Sequence, residues 1–273
     1  MRRNTIGLVI HHYKDMFGTF SAMEKIRGAK DAAFKKGVDL LIHISKKGSE
    51  FNYKAVDGVL FADLFENENL ISKAKRLKIP YIILEYFDSK SPHNCIGIDN
   101  KGAVVKLIDK LANMGHKDIA IVTGKLEAKI GKDRLDGYLE GLRKNKLKIN
   151  KRYIIAGDWT KESGVRAFKK LKKYDKIPTA IFVSGDEMAL GVIEEVKRQG
   201  LRIPEDLSII GFDDIPIASS DNISLSTVRQ PLYDIGRRGV ENLVKIIKEK
   251  NKKSIKLLLR DSKVILRKSV MAI

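Results

Sequence analysis

One cysteine, Cys95, stands in 273 residues, so neither an intrachain disulfide nor a thiolate zinc site can be built, which fits a reducing cytoplasm. Within the apolar run 93–98 it reads as a small core filler. No apolar stretch approaches the roughly 18 residues a spanning helix needs, so no membrane role is expected. The start, Met1-Arg2-Arg3-Asn4-Thr5, runs straight into a strand-like 6–10, without the apolar stretch and small-residue cleavage site of a secretory signal. A mature exported protein with its signal trimmed would look the same.

Catalytic signatures are missing as well. There is no G-x-S-x-G, P-loop, H-E-x-x-H, or G-x-G-x-x-G between strand and helix. His11 and His12 are neighbours, and on a strand they would point to opposite faces, a poor metal site. His43, His93 and His116 have no carboxylate or cysteine at metal spacing and read as polar loop or strand-edge residues. Asp213-Asp214 could in isolation hold Mg²⁺, but a lone acidic pair carries little weight. The chain is therefore not expected to be an enzyme, and no metal or cofactor is implied.

Negative charge is also scarce: 53 Lys and Arg against 34 acids leave a net charge of +19. Such an excess can hold polyanions through counterion release. Yet the basic residues are spread over 24–36, 101–110, 169–173 and 245–253, and the 7% aromatic content offers few stacking platforms. Solvated helix faces explain this spread; a nucleic-acid partner is compatible with it but not established by it.

What is present is alternation. Apolar strand-like segments at 5–10, 38–44, 58–62, 81–84 and 94–98 are followed by a second series at 118–123, 153–156, 180–183 and 207–211. Amphipathic helical stretches fall near 22–35, 68–77, 102–114, 134–144, 163–173, 188–199 and 234–250. The pattern predicts an α/β protein of two Rossmann-like, doubly wound lobes with parallel sheets and right-handed crossovers. No flexible linker separates the series, so the lobes should be joined by strand crossings. Ligands of such sheets bind beyond the carboxyl ends of the strands, and a cleft between two hinging lobes is the expected site.

Glu85, Arg134, Asp186 and Asp213 all fall at or just beyond predicted strand ends. Carboxylates and a guanidinium there can accept from and donate to several hydroxyls at fixed angles. Trp159, the only tryptophan, follows the strand at 153–156 and could stack on a sugar or a base; it could equally be an ordinary half-buried aromatic.

Ten segments carry more than any of these residues alone. They are 4–10 (NTIGLVI), 56–60 (VDGVL), 98–102 (IDNKG), 114–120 (MGHKDIA), 123–124 (TG), 134–138 (RLDGY), 185–191 (GDEMALG), 203–208 (IPEDLS), 211–214 (GFDD) and 226–231 (STVRQP). In this order and spacing the sequence resembles the lactose-repressor (LacI/GalR) family of transcription regulators, over essentially its whole length. The resemblance implies a type I periplasmic-binding-protein-like fold. The first lobe would take 1–98 plus 231–251, and the second 99–230 plus 252–273. It further implies effector contacts at Glu85, Arg134, Trp159 and Asp213, with Gln230 at a lobe crossing. Asp186 belongs to the same motif set, and Tyr13, Phe17 and Phe20 are candidate lining groups from the loop after the first strand.

Three features depart from the family. Gly185 stands where an Asn precedes the motif aspartate. The loop 11–19 lacks Asn-Pro-Phe-Phe. The stretch 45–55 is too short for the helix expected between the second and third strands. The expectation is a cytoplasmic, homodimeric sugar-sensing core of a repressor, its effector a saccharide or a nucleoside-like molecule. Operator DNA would be reached through a helix-turn-helix headpiece that should end where this chain starts. The rival reading is an exported solute-binding protein serving a sugar transporter.

Overall fold

Strands form where β-branched residues run together, and helices where apolar residues return every three or four positions. The computed structural model describes residues 4–11, 20–46, 48–249 and 254–273. The chain divides into one unit of Met1–Ile98 with Pro231–Leu259 and another of Asp99–Gln230 with Arg260–Ile273.

The first unit holds β1 (Thr5–His11), α1 (Phe20–Lys36), β2 (Asp39–Ser45), β3 (Gly58–Phe61), α2 (Glu68–Arg76), β4 (Tyr81–Leu84) and β5 (Cys95–Ile98). In the second unit follow α3 (Asn100–Asn113), β6 (Ile119–Val122), α4 (Lys129–Lys144), β7 (Ile154–Ile155), α5 (Lys161–Leu171), β8 (Ala180–Val183), α6 (Asp186–Arg198), β9 (Ser208–Ile210) and β10 (Thr227–Arg229). The chain then returns to the first unit with α7 (Leu232–Glu249) and β11 (Lys256–Leu259), and ends in the second with β12 (Lys263–Ile265).

The first sheet has six strands in the order β11-β5-β4-β3-β1-β2, and every pairing is parallel. Its central strands are fully apolar because both faces are covered. Ile6, Leu8, Leu60, Ile82 and Leu84 meet α1 and α7 on one face, and Val9, Val59, Phe61 and Ile83 meet Phe51, Tyr53 and α2 on the other. Sequence placed 252–259 in the second lobe. The structure corrects this: β11 pairs in register with β5, so the return crossing comes after Leu259. Among the described residues between β2 and β3 only a 3-10 turn, Tyr53–Ala55, forms. β2 ends the strand order and is thus an edge strand, with Leu41, Ile42 and Ile44 exposed.

The second unit has the parallel sheet β7-β6-β8-β9 and the antiparallel ribbon β10-β12. Tyr138, Phe168, Phe182 and Phe212 are its largest fully buried side chains. His116 is fully buried, with Nδ1 3.0 Å from Thr179 Oγ1 and Nε2 3.0 Å from the Met271 carbonyl, so it ties the last residues to the sheet.

Candidate functional site

Parallel pairing brings the carboxyl ends of β6, β8 and β9 to one edge of the second unit. Val122 is level with Val183, and Phe182 with Ile210. The residues that follow are Thr123-Gly124, Ser184-Gly185 and Gly211-Phe212-Asp213.

Trp159 lies in the β7–α5 connection, half-buried, with φ at 71°. Its indole rests on Gly124, where an added Cβ would lie 2.2 Å from Nε1. Only a glycine there lets the ring come down onto the strand end. Asp158, beside it, accepts from the Thr160 amide at 3.0 Å and from Arg166 at 3.0 Å, which pins the turn carrying the indole.

Asp213 has φ at 129° and Asp214 at 60°. Both lie outside the regions L-residues usually adopt, at a cost of about 1–3 kcal/mol each. Five contacts hold this backbone in place. The Asp213 amide donates to the Val228 carbonyl at 2.9 Å. Gln230 Nε2 donates to Asp213 Oδ1 at 2.6 Å, and Arg134 Nη2 lies 3.8 Å from the same oxygen. Asp214 accepts from Arg229 at 2.6 Å and from Arg267 at 2.7 Å.

Arg134 is buried. Its Nε donates to Asn100 Oδ1 at 2.9 Å, its Nη1 to the Ser184 carbonyl at 2.5 Å, and its guanidinium stands 3.9 Å over the Phe212 ring. Sequence placed it at a helix start beyond a strand; α4 begins five residues earlier, so Arg134 reaches its partners from the helix's second turn.

Asp186 requires a correction. It was expected to meet ligand, but it is 0% exposed. It accepts from Thr227 Oγ1 at 2.7 Å and from the Ile215 amide at 3.0 Å. It also presses on Gly211, where a Cβ would lie 2.0 Å from Oδ1. Its job is to hold the 213–215 turn from beneath. Burial, with a smaller contribution from the Asp214 charge, pushes its carboxyl up to about 6 against the hydrogen bonds that oppose the rise.

Among the described residues, Thr123 Oγ1, Ser184 Oγ and Gln230 Oε1 are buried without a hydrogen-bond partner. Such groups are costly unless water or ligand satisfies them. All three sit at strand ends of this unit.

In the first unit Glu85 follows β4 directly, with φ at 52°. It is ion-paired with Lys25 of α1. Phe20 opens α1 and packs half-buried against the core. Tyr13 and Phe17 lie outside the described residues. Among the described residues no group of three or more His, Cys, Asp or Glu could hold a metal ion, and no helix is long and apolar enough to cross a membrane. Sequence reasoning missed Lys25, Asn100 and the Asp214–Arg267 pair. The one signal available was a lysine interrupting the small-residue stripe of α1.

The family model of the periplasmic binding protein-like domain matches residues 108–270. The HTH-type transcriptional repressor CytR of Escherichia coli (strain K12) is 32% identical over 248 residues, spanning 88% of this chain and 72% of that protein. A solved regulatory protein of the LacI family from Chloroflexus aggregans is similar with a TM-score of 0.89 and 26% identity, over 98% of this chain and 99% of that one. A transcriptional regulator CelR–cellobiose complex reaches a TM-score of 0.91 at 25% identity, over 98% of this chain and 85% of that one.

Proposed function

The chain belongs to the LacI family of transcription regulators, and we propose that it senses a saccharide effector for a repressor, through Trp159, Asp213, Arg134 and Gln230 in the second unit and Glu85 in the first. One observation carries this reading. Trp159, Asp213 and Glu85, each expected to meet effector, are held in left-handed backbone that only a firmly built surround can maintain. Strain of this kind collects at ligand clamps. The chemistry agrees: an indole face suits the apolar face of a sugar ring, and a hydrogen-bonded carboxylate accepts from its hydroxyls. Cellobiose in the structurally similar regulator supports the same ligand class for this chain.

Binding would act on transcription by favouring one of two states of the protein, with a coupling of about 1–3 kcal/mol. A homodimer would present two operator-reading headpieces, which are not among the described elements, to a palindromic site in the cytoplasm. No chemical step is assigned to the site, whose groups bind and hold.

The test uses the lone tryptophan. Cellobiose, glucose, galactose, ribose and a purine nucleoside are titrated while melting temperature and Trp159 emission are followed. A ligand at 100 times its Kd adds about 2.7 kcal/mol. The expected result is a saccharide that raises the melting temperature and shifts the emission. Stabilisation without a change in emission would remove Trp159 from the site, and stabilisation by the nucleoside alone would replace the ligand class.

A further inference from the structure

Every buried residue of α1 is small except one: Ala22, Lys25, Gly28, Ala29, Ala32 and Ala33. Lys25 occupies a core position in a stripe that otherwise lets α1 lie against its neighbours. Its ammonium pairs with Glu85, and the two side chains are only 7% and 11% exposed. A buried ion pair is commonly no more stabilising than apolar residues of similar volume, so packing alone does not call for it. Glu85 adds a second cost, a left-handed backbone at the carboxyl end of β4. Two unfavourable features at the ligand-binding edge of a parallel sheet point to function.

We infer that Lys25 sets the charge class of the effector, restricting it to uncharged molecules. The inference rests on the proposed sensing role of Glu85 and names what that role selects. A bare buried carboxylate would draw an amino sugar, and a bare buried ammonium a sugar phosphate or uronic acid. Paired, the two cancel, and lone pairs of Glu85 that Lys25 does not use accept from neutral hydroxyls. The second unit follows the same logic. Asp213 has Arg134 and Gln230, and Asp214 has Arg229 and Arg267, so each of these two carboxylates has a cation beside it. The overall charge of +19 would by itself favour anions, and this local pairing removes that preference at the first-unit contact.

Lys25 is a specificity residue acting through Glu85, and its substitution should alter ligand preference and not just affinity. Glucose is compared by calorimetry with glucosamine, glucuronate and glucose 6-phosphate, galactose with galactosamine and galacturonate, and ribose with ribose 5-phosphate. The full chain, Lys25→Met and the double variant Lys25→Met/Glu85→Gln are each titrated. The parent should bind its best neutral sugar at least tenfold more tightly than any charged derivative. Lys25→Met should lose at least tenfold on the neutral sugar and move the amino-to-neutral ratio at least tenfold toward the amine. The double variant, with no buried charge left, keeps the measurement open should the single variant fold poorly, and should return to neutral preference. A charged derivative preferred by the parent, or a parental ratio kept in Lys25→Met, overturns the inference while leaving saccharide sensing in place. No binding of any sugar to the parent overturns the sensing reading, and this inference with it.

Discussion

Replacing Asp186 by Asn should make the protein more stable at neutral pH. Asp186 is fully buried beneath the 213–215 turn, and its carboxyl is pushed up to about 6 from an ordinary 3.8. Two pKa units correspond to about 3 kcal/mol between the protonation states. The folded value lies above the unfolded one, so folding favours the protonated form. The penalty is full at pH 7, shrinks as the pH falls through about 6, and is gone below the unfolded value. An amide reproduces the protonated state. Its oxygen can still accept from the Ile215 amide, and its NH₂ can donate to Thr227 Oγ1, which turns from donor to acceptor. The lost attraction between a carboxylate and the N-terminus of α6 offsets about 0.3–1 kcal/mol. The net expectation is a gain of about 2 kcal/mol at pH 7 that vanishes near pH 4. Urea denaturation of parent and variant from pH 4 to 7.5 reads this directly. Carboxylates common to both, such as Glu195 and Asp206, whose values fall to about 2, cancel in the difference. A variant less stable than the parent at pH 7 would show that the buried carboxylate is ionised and useful, and the reasoning would fail.

Three further outcomes follow from the same geometry. Gly124→Ala should shift Trp159 emission even without ligand, because its Cβ would lie 2.2 Å from the indole; Gly185→Ala, whose nearest neighbour is 3.5 Å away, should leave melting temperature and resting emission nearly unchanged. Arg134→Ala should cost about 2–4 kcal/mol in urea titrations, since it removes a buried guanidinium that donates to two buried acceptors, Asn100 Oδ1 and the Ser184 carbonyl; a loss below about 1 kcal/mol would mean that the guanidinium is not part of the frame. Sedimentation at micromolar concentration should show a dimer, and a clean monomer would count against the proposed assembly.

Much of the fold was legible because long apolar runs and helical periods are local signals. All nine anticipated strands and seven helices form. Three short strands escaped notice for physical reasons. Thr227–Arg229 and Lys263–Ile265 span three residues each, and Lys256–Leu259 lies among lysines at a sheet edge, so none has a period long enough to read. The site divides in the same way. Arg134, Asp213 and Gln230 are marked by motif and converge, with Arg134 and Gln230 both at Asp213 Oδ1. Asp186 shares their motif chemistry, but whether it faces outward or inward depends on a glycine at 211 and a threonine at 227. Lys25 and Glu85 are 60 residues apart, and nothing in either neighbourhood announces the other. The left-handed backbones at Trp159 and Glu85 were equally hidden, since neither residue type favours that conformation.

The glycines that join α1 to α7 have a mechanical consequence. A Cβ on Gly28 would lie 1.9 Å from the Tyr233 carbonyl oxygen, and one on Gly236 would lie 2.0 Å from that of Lys25. The helices therefore touch backbone to backbone, reciprocally, with no side chain between them to act as a cushion. Neither can slide by a residue without driving a bulkier neighbour into main-chain atoms. The two are locked together where the first turns of α7, entered from Gln230 and Pro231, lie against Lys25 and Gly28 of α1. A shift of the Lys25 main chain would therefore meet α7 directly, whereas the glycine-free face of α1, where Phe34 stands open to solvent, can absorb sequence change without disturbing that contact.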